Sequence, residues 1–389
     1  MPASESFRAE VGLRPVGFGV MRPETTARLS AAMPTHPNPI RSLLRVLSWI
    51  GLVLVFGEAT GAPASLRVVG SAGSQKIEFQ RDAGSGRHYV RAAKRMEDLA
   101  TGYLIGVLPP SGPTTGQVEV PAVLGASETL FLRLESEPPA SPPWPGLVWV
   151  PAGTYWMGSP ADEYGRDDDE SPLHEVTISK GFWIGSKEVT QSEYLAVAGT
   201  NSSHFTPGNG FATTLEHPVE QVSWSDATNY CALLTRQLQS AGKLAAGLRV
   251  RLPTEAEWEY AFRAGTTTAF HSMPGHPNGT NQDILLGNIA WFGGNSDGQT
   301  HAVGQKAANG FGLHDMSGNV FEFVQDWFGA YGSGPETNPT GPATGTGRVY
   351  RGGSWAPGDT PLYCRASFRF QVSPGNQNNN IGFRAARNP

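Results

Sequence analysis

The chain has 389 residues, 39% of them apolar, and a net charge of −5, enough apolar material for one large core beside a smaller domain, or for two medium domains. No basic block interrupts this near-neutral balance, which excludes the usual electrostatic footprint of a nucleic-acid binder. Two cysteines, Cys231 and Cys364, exclude both a disulfide scaffold and a four-thiolate metal site.

The first 64 residues read as a leader. Arg41 and Arg45 precede the apolar run Val46–Phe56, and Ala62-Pro-Ala64 supplies small residues at cleavage spacing. This is the order of a secretory signal peptide, and the run is short for a bilayer span. The expectation is an exported chain, periplasmic or extracellular, starting near Ser65 and keeping no stable membrane span. Met1, Met21 and Met33 are alternative starts. From 65 to 136, short alternating segments such as Leu66-Arg-Val-Val, Lys76-Ile-Glu-Phe and Thr129-Leu-Phe-Leu-Arg-Leu predict a small all-β, sandwich-like domain. Residues 137–145 form a proline-rich linker, and a larger domain runs from 146 to 389.

With 48 glycines and 31 prolines in the chain, that domain should be rich in loops, with short strands and few long helices. Leu147 to Gly158 is two alternating strands around Pro-Ala-Gly, read as a hairpin. Arg166-Asp-Asp-Asp-Glu170 reads as a solvated loop. Thr190 with Glu193 forms a capping box at a helix start, and Ser223-Trp-Ser-Asp226 opens the helix that carries Cys231, expected to be a small buried residue. Thr254 caps the clearest helix, with Trp258, Ala261 and Phe262 on one face; its first-turn carboxylates, Glu255 and Glu257, are read as serving the cap and the dipole.

The stretch Asn309–Trp327 carries the chemistry. Asp315 and Glu322 flank the turn Gly318-Asn319, so both carboxylates and the carbonyls of Gly318 and Val320 can supply hard oxygen donors to a calcium ion. By residue type alone, a glycine-rich turn whose Asp and Glu are only solvated or cap a backbone is the preferred reading.

The ordered motifs Trp149-Val-Pro-Ala-Gly-Thr-Tyr-Trp-Met-Gly158, Glu188-Val-Thr190, Val222-Ser-Trp-Ser-Asp-Ala227, Arg251-Leu-Pro-Thr-Glu-Ala-Glu-Trp-Glu-Tyr-Ala261, Asn309 to Glu322, Arg351-Gly-Gly-Ser-Trp355 and Gly382-Phe-Arg384 resemble the formylglycine-generating enzyme (sulfatase-modifying factor) family. The resemblance covers residues 146–389. It implies an α+β fold, irregular and mixed, with a topology like that of C-type lectins, stabilised by calcium. One implied calcium site falls on Asp315, Gly318, Val320 and Glu322. The other falls on Asn288, Ile289 and one of Asn295 and Asp297, in a loop that is also an ordinary Asn-Gly turn by composition.

Enzymatic members of the family bind copper(I) through two cysteines near the C-terminus, activate oxygen and convert a sulfatase cysteine to formylglycine. Two soft sulfurs suit that ion. Here Cys364 matches the second cysteine, whereas Ala356, Pro357 and Gly358 stand in the place of the first and the connection is two residues longer. Cys231 matches a position that is disulfide-bonded in some members, but its partner position is about Ala385, and Phe321 stands where the family often has Trp. The candidate catalytic residues are Cys364, with Arg365 or Arg369 to lower its pKa, and Ser354. Among the nine histidines, His174, His204, His217, His271, His301 and His314 form no recognisable relay. Two readings follow. The first is an exported, calcium-stabilised binding or accessory module for a peptide, protein or glycan, a sulfatase among the candidates; the second is an oxidase working through an altered site around Cys364, which alone would require copper(I).

Overall fold

The computed structural model describes residues 144–388 without interruption, and upstream of them Gly102, Pro142 and a set of strand segments. The chain divides into two units, Met1–Pro138 and Pro139–Pro389, with the division inside the proline-rich run. Most of the expected leader lies outside the described residues. In the first unit Ser65–Ser71, Ser74–Gln80 and Thr115–Glu119 pair antiparallel in that order. His88–Ala93 pairs antiparallel with Tyr103–Leu108 and with Phe131–Ser136. No helix among the described residues is long and apolar enough to cross a membrane.

The second unit is α+β. In chain order it contains β1 (Leu147–Val150), β2 (Gly153–Met157), β3 (His174–Ile178), β4 (Phe182–Gly185), α1 (Gln191–Ala198), α2 (Trp224–Ser240), β5 (Val250–Arg251) and α3 (Glu255–Arg263). There follow β6 (Ala290–Trp291), β7 (Ser317–Gly318), β8 (Phe321–Trp327), β9 (Glu336–Thr337), β10 (Arg348–Arg351), β11 (Arg369–Val372), β12 (Ile381–Phe383) and β13 (Ala386–Arg387). One antiparallel sheet has the order β1-β4-β13-β5, so the two ends of the unit are stitched together; Trp149 lies opposite Trp183 with ring centroids 5.3 Å apart. A second has the order β11-β10-β8-β12, where β12 runs parallel to β8 and the other pairs are antiparallel.

The expected hairpin does not form. β1 pairs with β4 and β2 with β3, so the two strands enter different ladders. A two-residue reversal needs left-handed residues, and neither Pro151 nor Ala152 has a positive φ, so the chain bends there instead of turning back.

The three helix starts follow their caps. Thr190, Ser223 and Thr254 each accept a hydrogen bond from the backbone N–H three residues on, and Glu193, Asp226 and Glu257 return the bond to the cap. Each such cap is worth about 1 kcal/mol. The main apolar cluster lies under α1 and α2: Tyr194 stacks on Tyr230 at 5.5 Å, and Phe321, Phe323, Phe368 and Phe383 close it. Cys231 is buried in it as a free thiol, and Ala385 belongs to the same cluster.

Two acidic segments differ from expectation. Glu170 is fully buried and holds Arg365 with both oxygens, at 2.6 and 2.9 Å. Burial would raise its carboxyl, but the guanidinium outweighs burial and keeps it below the usual range. On α3, Glu257 does cap, and it also pairs with Arg251. Glu255, by contrast, is buried and takes both its oxygens to Arg369 at 2.7 Å. Glu259, equally buried, joins Arg263 and Arg351. The reason is tertiary: Arg351, Arg365 and Arg369 lie far along the chain on β10, β11 and the loop between them, and local helix rules cannot see them.

Candidate functional site

The loop 309–322 is fixed from both ends. Asn309 donates from Nδ2 to the carbonyls of Ala261 (2.7 Å) and Phe262 (3.0 Å), satisfying two C-terminal carbonyls of α3, and its Oδ1 accepts from the N–H groups of Phe311 and Leu313. Further on, Gly318 has φ +80°, and a β-carbon there would lie 2.2 Å from the Trp291 carbonyl. Only glycine fits that approach. Asp315 and Asn319 also take left-handed φ, which turns the chain sharply on either side of Met316–Gly318.

Three buried carboxylates surround one guanidinium here. Arg384 donates to Glu322 through Nε (2.7 Å) and Nη2 (2.5 Å), and through Nη2 to the Asp315 carbonyl (3.4 Å). Glu322 also accepts from Trp258 Nε1 at 2.7 Å. The Asp315 side chain turns toward Gly304, whose N–H donates to Oδ2 at 2.6 Å, while Oδ1 is buried with no partner. Glu188 accepts from the Val320 N–H (3.0 Å) and from Asn319 Nδ2 (2.7 Å). Burial, reinforced by the charges of Asp315 and Glu322, pushes the Glu188 carboxyl well above its ordinary value, and burial likewise raises that of Asp315. Were all three ionised against the one buried arginine the formal charge would be −2, and it is burial, with this imbalance, that raises the carboxyls of Glu188 and Asp315. An orphaned carboxylate oxygen in such a negative pocket fits a hard divalent cation. The donors would be Asp315 Oδ1, the carbonyls of Gly318 and Val320, and Glu322, which would share its oxygens with Arg384. Among the described residues no three His, Cys, Asp or Glu side chains converge as a ready-made metal shell. The sequence shows Glu188 and Arg384 only as members of the ordered family motifs, and nothing in those motifs marks them as part of this centre.

The second expected calcium group is less converged. Asn288 is exposed and its carbonyl accepts from the Ala307 N–H (3.1 Å), whereas Ile289 is fully buried. Asn295 uses both ends of its amide locally, accepting from the Phe292 N–H (2.8 Å) and donating to the Ala290 carbonyl (3.0 Å). Asp297, exposed at φ +54°, is the side chain that remains open to solvent.

Cys364 and Ser354 lie on one loop but not in one cleft. The Cys364 thiol is fully buried among Phe270, Met273, Leu286 and Ile289, and it backs onto Gly353, where a β-carbon would come within 2.4 Å of Sγ. Burial first, and the nearby Asp359 charge second, push the thiol far up, so it stays a thiol. The arginines expected to activate it are engaged elsewhere, Arg365 with Glu163 and Glu170 and Arg369 with Glu255. Ser354 is buried; its hydroxyl pairs with Asp359 and accepts from the Ala356 N–H (3.2 Å) and Asn380 Nδ2 (3.4 Å). These are the bonds of a side chain that holds a turn. Among the histidines, His217 meets Thr300 (3.0 Å) and His301 stacks on Trp291 at 3.8 Å.

Comparison with known proteins agrees with this architecture. The family model described as sulfatase-modifying factor enzyme 1-like domain matches residues 134–389. The formylglycine-generating enzyme of Mus musculus is 31% identical over 292 residues, covering 62% of this chain and 74% of that protein. Among solved structures, Treponema denticola variable protein 1 superposes with a TM-score of 0.53 at 33% identity, covering 62% of this chain and 95% of that one. PvdO from Pseudomonas aeruginosa gives a TM-score of 0.53 at 30% identity, over 66% of this chain and 100% of the other.

Proposed function

The chain belongs to the family of sulfatase-modifying factor enzyme 1-like domains, and from that premise we propose that it is a calcium-stabilised binding or accessory module of the family rather than a copper oxidase. The observation that carries this reading is the placement of sulfur. The chain's only two cysteines lie in different apolar clusters, Cys231 under α2 and Cys364 behind Gly353, and both are buried free thiols. A two-sulfur linear site needs a pair of thiolates close together, and Ala356 to Gly358 supply none. In this proposal Asp315, Gly318, Val320 and Glu322 hold calcium, with a further ion at Asn288, Ile289 and Asp297 or Asn295. The lectin-like topology presents a peptide, protein or glycan surface, the sandwich-like first domain is a spacer, and the protein acts outside the cytosol after loss of its leader.

The oxidase reading rests on the mouse relative, which is named a formylglycine-generating enzyme and is 31% identical; a fold carries many functions, so chemistry has to be argued from the site. Copper(I) titration of the whole chain, followed by incubation with a Cys-X-Pro-X-Arg peptide in air, separates the two readings. No cysteine-dependent copper binding and no aldehyde is the expected result. Aldehyde formation abolished by Cys364→Ala would overturn the module reading.

A further inference from the structure

The row Trp224, Thr228, Ala232, Thr235 and Gln239 lies along one face of α2 by its three- and four-residue spacing. It faces β5, the last strand of its sheet, and Gln325 of β8, and an open groove of about 550 Å³ runs between them. Most polar groups of the walls are satisfied within the protein. Thr235 Oγ1 accepts from the Val250 N–H (2.9 Å), Gln239 donates to the Leu248 carbonyl (3.0 Å), Trp224 Nε1 donates to the Val324 carbonyl (2.8 Å), and Arg251 is neutralised by Glu257 (2.6 and 2.7 Å).

What the groove still offers a ligand is sparse and specific. Arg249 lines it, is exposed, and has no ion pair among the described residues. Gln325 is exposed beside it, and Trp224 contributes an indole whose ring is stacked by the Arg348 guanidinium at 3.6 Å. Apart from Glu257, which is taken up by Arg251, the charge carried along this stretch is positive. From Ala227 to Pro253 the sequence has no Asp or Glu but has Arg236, Lys243, Arg249 and Arg251, in a chain whose net charge is −5. Such a local positive field draws in an anionic partner and repels a basic one.

We propose that this groove docks an acidic, extended peptide segment of a partner protein. A trough open to solvent between a helix and a strand suits a chain laid along it better than a small molecule, which would be more fully enclosed. One free guanidinium answers one carboxylate, while the aromatic and methyl-bearing walls take the apolar part of the segment. The proposal uses neither the calcium centre nor Cys364, so it stands or falls apart from the module reading.

The test uses the full chain and fluorescence polarisation of a short labelled peptide alternating Glu and Leu, with its Gln/Leu counterpart and free glutamate alongside. The Glu peptide should bind saturably and more weakly as salt is added. Arg249→Glu should loosen binding about tenfold, which is about 1.4 kcal/mol, and Ala232→Trp, which fills the groove, should do at least as much. Lys180→Glu, the same charge change at an exposed residue outside the groove, should leave it unchanged, and the thermal unfolding of each variant checks that the fold is retained. Equal binding of the Gln peptide, indifference to both groove substitutions, or competition by free glutamate as strong as by the peptide would each overturn the proposal.

Discussion

Replacing Glu259 by Gln should be among the most damaging isosteric changes in this protein. Glu259 is fully buried and accepts from Arg263 Nε (2.8 Å), from the Gly158 N–H (3.0 Å) and from Arg351. The amide keeps the shape but removes the charge and turns a donor toward a guanidinium. Arg351 is then left with Glu255 at 3.3 Å, a carboxylate already committed to Arg369. Removing one partner of a buried ion pair costs about 3–5 kcal/mol, because the remaining charge stays buried, whereas an exposed pair is worth about 0–1 kcal/mol. The damage should reach the loop between β10 and β11, since Arg351 also donates to the carbonyls of Ala366 and Ser367 (both 2.9 Å) and so ties together the two ends of the segment that carries Ser354 and Cys364. Urea unfolding should show a lowered midpoint with an unchanged slope, and Cys364 should react faster with a thiol reagent. Glu216→Gln, at an exposed side chain whose bond to Ser192 is 3.4 Å long, should stay within about 0.5 kcal/mol of wild type. A loss below about 1 kcal/mol for Glu259→Gln would refute the argument that this buried network holds the loop.

Three further outcomes are expected. Calcium at a hundredfold excess over its dissociation constant should raise stability by about 2.7 kcal/mol, and Asp315→Ala should abolish the rise in thermal midpoint; a calcium effect untouched by that substitution would dismiss Asp315 as a ligand. His271 is fully buried, and burial lowers its pKa from 6.5 to about 4. The unfolded chain takes up this proton first as pH falls, so the contribution is full above pH 6.5 and is lost toward pH 4, by about 3 kcal/mol; His271→Phe, whose ring can still pack on Phe262, should flatten the curve in that window, and an unchanged slope would count against it. Asp326 has the opposite sign: burial first, and the Glu255 charge second, raise its carboxyl to about 8 while it accepts from the Glu255 N–H at 3.0 Å. Stability from this group is lost as pH rises from about 4 through 8, so Asp326→Asn, which keeps the acceptor, should gain on wild type above pH 8 in chemical unfolding; no gain there would show the carboxylate to be tolerated.

Much of the local structure was legible along the chain because its causes are local. The capping boxes at Thr190, Ser223 and Thr254 involve residues three apart, and all three open helices where read. Gly318 marked a sharp turn, as its left-handed φ requires. The pairing of β1 and β2 was misjudged because a turn motif states only that the chain bends; which strand each half joins depends on β4, β3 and the distant C-terminal strand β13.

By itself, the order of residues determined the family motifs, the helix starts and the lack of a second cysteine after Trp355, since each is a matter of residue type and short spacing. Only the tertiary structure decided which charges are buried together. Glu188, Asp315, Glu322 and Arg384 come from segments up to about two hundred positions apart and meet in one pocket; Glu170, Glu255 and Glu259 left the solvent for arginines on distant strands and loops. A carboxylate's role depends on what neutralises it at a few ångströms, and that distance is set by packing across the core.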